Sequence, residues 1–337
     1  MSKSFPFKEP IETLLSLTQE DKCLGASFQT SSIPPRSLDE ACFLTHYIIR
    51  QSCYVGTHIL DHLLRNPPGD SAHLAPLMLY RHSLELGDSI GTLLRYGSAT
   101  TASILVRSLF ETSLGLEFIL QDDTAHEDRA SCFQAFYQIG RWKNFIRYDP
   151  ATKEGQELHQ ILDNDPKLCG VPFPRRNLSE ERSIVEKVLN SPRYKSHWDK
   201  YQTSIPKPKH WYTLSNSDIT HLRALAKAVG REGEYVLLYR LLSGSAHASD
   251  VFSGVLEHGG GRSIRVHRLR GPVEKIKEAT SLAASFLVWS HHRLLNTYLK
   301  GHGVQTWFSH WYVEDYSEFF NWAITPGPLI TQPPPQV

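Results

Sequence analysis

Apolar residues recur at helical spacing along most of the chain, and turn residues cut the pattern into lengths of 20–30. Ser37-Leu38-Asp39-Glu40 is a capping box: Ser37 accepts from the third residue's amide, and Glu40 reaches back. It predicts a helix from 37 to about Arg65, stopped by Asn66-Pro67-Pro68-Gly69. Asp70 can cap a second helix, carrying Leu74, Leu77, Met78, Leu84, Leu93 and Leu94 and closed by Gly97. Ile104, Leu105, Leu109, Leu114, Leu116, Phe118 and Ile119 give a third, about 98–120, a wide apolar face. Asp122-Asp123-Thr124 breaks it, and an aromatic-rich fourth follows over about 125–148 (Phe133, Phe136, Tyr137, Trp142, Phe145). Long helices in a row with short connectors predict an all-α fold, an antiparallel bundle.

The remainder is less regular. Residues 1–36 read as a peripheral segment with one short helix near 10–20. The bundle domain spans 37–303, interrupted by an irregular insertion over 149–216 with short helices near 153–163 and 179–190. Ser217 starts a helix ending at Gly230, and another is expected from Glu232 to Leu256. The segment Arg262-Ser263-Ile264-Arg265-Val266-His267-Arg268-Leu269-Arg270 alternates basic with apolar residues, the period of a strand or short β-hairpin. Pro272 suits the first turn of a last long helix, to about Lys300. Residues 304–325 form an aromatic segment that packs back onto the bundle or onto a protein partner, and the Pro-rich 326–337 reads as a disordered tail.

Composition narrows the possibilities. The 337 residues carry a formal net charge of +1, so any nucleic-acid binding must come from a local patch. Five cysteines in an odd count, without a Cys-x-x-Cys pair or secretory signal, fit a reducing cytoplasm. No apolar run approaches the roughly 20 residues of a spanning helix, so no membrane association is expected. Metalloprotease, di-iron, P-loop and nucleophile-elbow motifs are all missing, so neither metal nor cofactor is expected.

The candidate chemistry gathers in Tyr239-Arg240-Leu241-Leu242-Ser243-Gly244-Ser245-Ala246-His247. On a helix, Arg240 and His247 would lie roughly 20° apart around the axis and about 10 Å apart along it, with Ser243 between them. An imidazole can move a proton, and a guanidinium can hold a phosphate and its developing charge. Metal-free RNA cleavage needs these two roles, with Arg240, Ser243 and His247 as the catalytic group. Arg81-x-x-x-Glu85 and Arg107-x-x-x-Glu111 put ion pairs on two earlier helices; with Tyr239 they form either a supporting network or ordinary surface pairs. Arg262, Arg265, Arg268, Arg270, Lys207, Lys209 and Trp211 could bind RNA through backbone charge and stacking.

These motifs together, over about residues 70–300, resemble the HEPN superfamily of small helical ribonucleases and nucleotide-binding proteins. They also resemble an uncharacterised, mostly bacterial group of HEPN-like proteins. The resemblance implies a metal-independent endoribonuclease acting on RNA, a homodimer with facing motifs, and a role in phage defence or a toxin system. Leu241 departs from the polar residue that usually follows the arginine. The alternative is a non-catalytic helical interaction protein whose Arg/Glu/His cluster only stabilises the bundle.

Overall fold

The computed structural model describes residues 37–67, 73–168, 176–239, 256–258, 264–266, 270–299, 308–309 and 311–316. Within these the regular structure is helical apart from two three-residue strands. The long helices are α1 (Leu38–Arg65), α2 (Leu74–Arg95), α3 (Ala99–Leu120), α4 (His126–Tyr148) and, near the C-terminus, α11 (Val273–Tyr298). Between them come α5 (Lys153–Asn164), α6 (Ser179–Leu189), α7 (Lys195–Thr203), α8 (Trp211–Ser215), α9 (Leu222–Ala228) and the single turn α10 (Glu232–Glu234). A π-helical segment, Tyr235–Tyr239, continues from α10. Strands β1 (Leu256–His258) and β2 (Ile264–Val266) pair antiparallel, with Glu257 opposite Arg265.

Local chemistry explains the boundaries. The Ser37 hydroxyl accepts from the Glu40 amide at 3.2 Å and starts α1. At the end of α2, Gly97 has φ +72°. Its amide donates to Leu94 O, and that of Ser98 donates to Leu93 O, a Schellman close that needs the left-handed residue. The helix expected to reach Leu256 does not, because Leu256 lies in β1. Helices α7 and α8 fall where the sequence pattern gave only loops.

The chain forms two compact units. The first takes in 76–120 and the described parts of 1–70 and 229–337; the second takes in 121–228 with the short stretch 71–75. In the first, α11 packs along α1 and α3. A Cβ on Gly87 of α2 would meet Cys53 Sγ at 2.8 Å and Leu287 Cδ1 at 2.9 Å, so glycine lets α2 approach both α1 and α11. The core includes Ile48, Ile59, Leu63, Leu77, Tyr80, Ile90, Leu109, Phe110, Leu114, Phe286 and Leu294. In the second unit α4 is the spine, touching α5, α6, α7 and α8. Its core includes Cys132, Ile139, Val185, Leu189, Trp198, Tyr201 and Leu214. The fourth long helix belongs to the second unit, and in the first unit α11, distant in sequence, packs with α1 and α3. Aromatic residues on α4 match this role, since Trp142 stacks edge-on to Trp198 at 5.1 Å.

Candidate functional site

Arg240, Ser243 and His247 lie outside the described residues, as do Arg262 and Arg268. For Tyr239 and Arg265 only the backbone is described: Tyr239 ends the π-helical segment and Arg265 is the middle residue of β2. Tyr235–Tyr239 is π-helical, a form that recurs at functional sites.

Just before that segment, Arg231 is 5% exposed and ties the chain there to α3 and α11. Its Nε donates to both carboxylate oxygens of Glu234, at 3.0 and 3.1 Å, and its Nη1 donates to Ser113 Oγ at 3.0 Å. The guanidinium lies over Phe110, Phe286 and Trp289, at 5.2, 5.4 and 5.3 Å from the ring centroids. A buried cation needs such partners, and a planar guanidinium is suited to a nest of rings.

The surrounding polar contacts follow from helical spacing. Phe110, Ser113 and Glu117 share one face of α3; Phe286, Trp289 and Arg293 share one face of α11. The Trp289 indole Nε1–H donates to Glu117 Oε2 at 3.1 Å. Arg293 Nε lies 3.3 Å from the other oxygen of that carboxylate. Glu117 is buried, so the charge that Arg293 brings is what keeps its carboxylate tolerable there.

Beside this cluster opens a cleft of about 410 Å³, lined by Ser285, Val288, Trp289 and His292 of α11 and by Phe308, Ser309 and Tyr312. The four α11 residues share one helical face. Trp289 is 45% exposed although its indole N–H and the Arg231 cation hold the ring in place.

The neighbouring residue, His291, faces the core and is fully buried. Tyr80 Oη lies 2.6 Å from its Nδ1, and Nε2 lies 3.0 Å from both the Ser52 carbonyl and hydroxyl oxygens. Burial pushes its pKa down to about 3, against a small opposing effect of the Ser52 hydrogen bond. A sealed, neutral histidine of this kind orders a core and does not exchange protons with a substrate.

The other expected site residues are placed as follows. Arg81 and Glu85 form a 2.7 Å ion pair, each side chain at least half exposed. Arg107 Nε donates to Glu111 Oε1 at 3.1 Å. Arg270 donates to Ser98 Oγ at 2.7 Å and to Tyr96 O, tying the chain before α11 to the end of α2. In the second unit, Lys207 donates to carbonyls at the end of α7, including Tyr201 O at 3.1 Å. Trp211 packs edge-on against Phe133, and Lys209 is exposed. The structure therefore brings each Arg–Glu pair together within its own helix and holds Arg270 and Lys207 to backbone carbonyls.

The second unit holds one further cluster. His197 Nε2 lies 3.0 Å from Ser131 Oγ and 3.5 Å from Asp128 Oδ1. Burial lowers the His197 pKa, Asp128 opposes that and Lys200 adds to it. The Ser131 hydroxyl donates to Asp128 O at 2.9 Å inside α4 and is buried, so it is no nucleophile. Cys53 and Cys132 are buried thiols pushed up to about 12, chiefly by burial, and stay protonated. Among the described residues no cluster of three or more His, Cys, Asp or Glu could hold a metal ion. No helix among them is long and apolar enough to cross a membrane.

Sequence reasoning missed Arg231, Glu234, Glu117 and Trp289. Glu117 carried a usable signal: it is the lone charge in Leu114-Gly115-Leu116-Glu117-Phe118-Ile119-Leu120, where a carboxylate must find a cation. Arg231 carried none, since a basic residue after a helix-ending glycine is ordinary.

No curated protein and no solved structure matches the chain. A sequence family does match, over residues 73–262, which take in both Arg-x-x-x-Glu helices, Arg231 and the whole 239–250 stretch. That span exceeds half of the chain, and the chain therefore belongs to the family described as "Family of unknown function (DUF5677)".

Proposed function

We propose that the chain is a metal-independent endoribonuclease of the HEPN type, with Arg240 and His247 as its central pair. One observation carries the reading: the motif continues directly from a π-helical segment whose start is fixed to the core by the buried Arg231. A catalytic group needs such a rigid base, because geometry loose by an ångström loses most of the benefit of positioning. In this mechanism His247 takes the proton of a 2′-hydroxyl. The hydroxyl oxygen attacks the adjacent phosphorus, and the bond to the 5′-oxygen breaks; that oxygen takes a proton from water and leaves as a 5′-hydroxyl, with a 2′,3′-cyclic phosphate on the other fragment. Arg240 holds the phosphate oxygens as charge develops, and Ser243 supplies a further hydrogen bond. A homodimer and a defence or toxin context go with this reading.

The test is incubation of the purified chain with RNA in EDTA, beside His247→Ala and Arg240→Ala. The expected result is cleavage by the wild type alone, with 2′,3′-cyclic phosphate ends. Lack of cleavage by the wild type on structured and single-stranded RNA alike would refute it.

A second reading, a non-catalytic helical interaction protein, is favoured by the way Arg81–Glu85 and Arg107–Glu111 satisfy each other within their own helices. It predicts that His247→Ala changes stability and nothing else.

A further inference from the structure

We propose that the cleft that α11 forms with Phe308, Ser309 and Tyr312 is a binding site for a neutral, planar heteroaromatic ring of nucleobase type. The walls argue for a flat ring. Trp289 and Tyr312 both line the cleft, and aromatic side chains hold planar rings by stacking. Trp289 is preorganised for that use. Its N–H is held by Glu117 at 3.1 Å, and Arg231 lies over the ring at 5.3 Å. Stacking a ligand on it therefore freezes little side-chain freedom. The guanidinium also draws π density from the indole, which favours an electron-rich partner such as a purine.

The rim argues for a neutral ring with hydrogen-bonding edges. Ser285, Ser309 and His292 supply hydroxyl and imidazole groups that can both donate and accept, as a base edge requires. Among the described residues that line the cleft there is no lysine, arginine or carboxylate, so these walls suit a neutral ring better than a phosphate. The volume, about 410 Å³, falls within the roughly 300–1,000 Å³ typical of small-molecule sites. The base could come from a free nucleoside or from single-stranded RNA. The RNA source rests on the ribonuclease reading; binding of the ring does not.

The experiment is calorimetric titration of the full chain with adenosine and, separately, with a single-stranded oligoadenylate in EDTA. The variants are Trp289→Ala, Trp289→Phe and Ser309→Trp. Ser309→Trp fills the cleft without touching the Arg231 or Glu117 contacts, so it remains informative if Trp289→Ala fails to fold. The expected result is binding by the wild type, a loss of at least tenfold in Ser309→Trp and Trp289→Ala, and a smaller loss in Trp289→Phe. Adenosine binding without oligoadenylate binding assigns the site to free nucleosides, and binding of both assigns it to an RNA strand; either supports the proposal. Lack of binding of both probes, or wild-type affinity in Ser309→Trp, overturns it. Cleavage is scored separately: a chain that binds adenosine but never cuts RNA refutes the ribonuclease and leaves the cleft standing.

Discussion

Tyr80 Oη lies 2.6 Å from His291 Nδ1, on two helices that are 211 residues apart in sequence at this contact. The tautomer that satisfies both ring nitrogens has Nδ1 accepting from Tyr80 and Nε2–H donating to the Ser52 carbonyl. The ring is then neutral and complete, and a second proton on Nδ1 would displace the hydrogen bond that the Tyr80 hydroxyl donates. The pKa near 3 in the fold lies well below the roughly 6.5 of an unfolded histidine, so the unfolded chain binds the proton first. The stabilisation is fully present above about pH 6.5 and falls by about 1.4 kcal/mol per pH unit as the pH drops toward 3. His197 and His58, whose pKa values are also lowered by burial, add in the same direction. His291→Gln can accept from Tyr80 and donate to Ser52 without titrating. Urea denaturation at pH 7.5, 6.5 and 5.5 should show a shallower loss for His291→Gln than for the wild type; equal slopes would refute the assignment.

Gly56 of α1 sits against the same pair. A Cβ there would lie 2.4 Å from Leu84 Cδ2, 2.7 Å from His291 Cε1 and 3.0 Å from Tyr80 Oη. The leucine can rotate, but the two hydrogen-bonded rings cannot move without breaking their contact. Gly56→Ala is therefore expected to cost about 1–3 kcal/mol by overpacking, despite alanine's better helix propensity. Thermal denaturation of the single variant checks this, and a stabilised Gly56→Ala would contradict it.

Arg231 and Glu234 form an unequal pair, since Arg231 is 5% exposed while the Glu234 side chain is 43% exposed. Removing the carboxylate leaves a buried cation facing, among the described residues, Ser113 and three rings. Removing the guanidinium leaves a carboxylate that water can reach. Glu234→Ala is thus expected to destabilise by about 3–5 kcal/mol and Arg231→Met by clearly less. The double variant should recover most of the Glu234→Ala loss. A denaturant series on the three proteins settles the order, and an Arg231→Met that is worse than Glu234→Ala would reverse this account.

How much of this was legible depended on whether the cause was local. The capping box at Ser37, the Gly97 close and the ends of α3 and α4 follow from residues within one turn, and the sequence pattern placed them to within one or two positions. The Tyr80–His291 contact and the Arg231 nest depend on pairings between α2, α3 and α11, which period and propensity do not encode. The pairing of α11 with α1 and α3 had the same obstacle: apolar faces say that a helix is buried, not against which neighbour. Helices α7 and α8 were missed because Pro206, Pro208 and the polar run Lys195-Ser196-His197 mask a short apolar set (Trp198, Tyr201, Tyr212, Leu214) that is completed only in the fold, by residues of α4 and α6.

Arg81–Glu85 and Arg107–Glu111 share a spacing but not an environment. The first pair is at least half exposed on both sides; in the second, Arg107 is 22% exposed and Glu111 40%. Solvent screens the first, and its coupling by double-mutant cycle should be about 0.3–0.5 kcal/mol, falling further in salt. The second, less screened, should couple more strongly and lose less in 0.5 M NaCl. If Arg81 and Glu85 serve RNA rather than the fold, their alanine variants will unfold like the wild type yet cut RNA at least tenfold more slowly. The same pair of measurements on Arg107→Ala then separates a stabilising ion pair from a substrate contact, because a purely stabilising pair moves the unfolding midpoint and leaves the cleavage rate of the folded fraction unchanged.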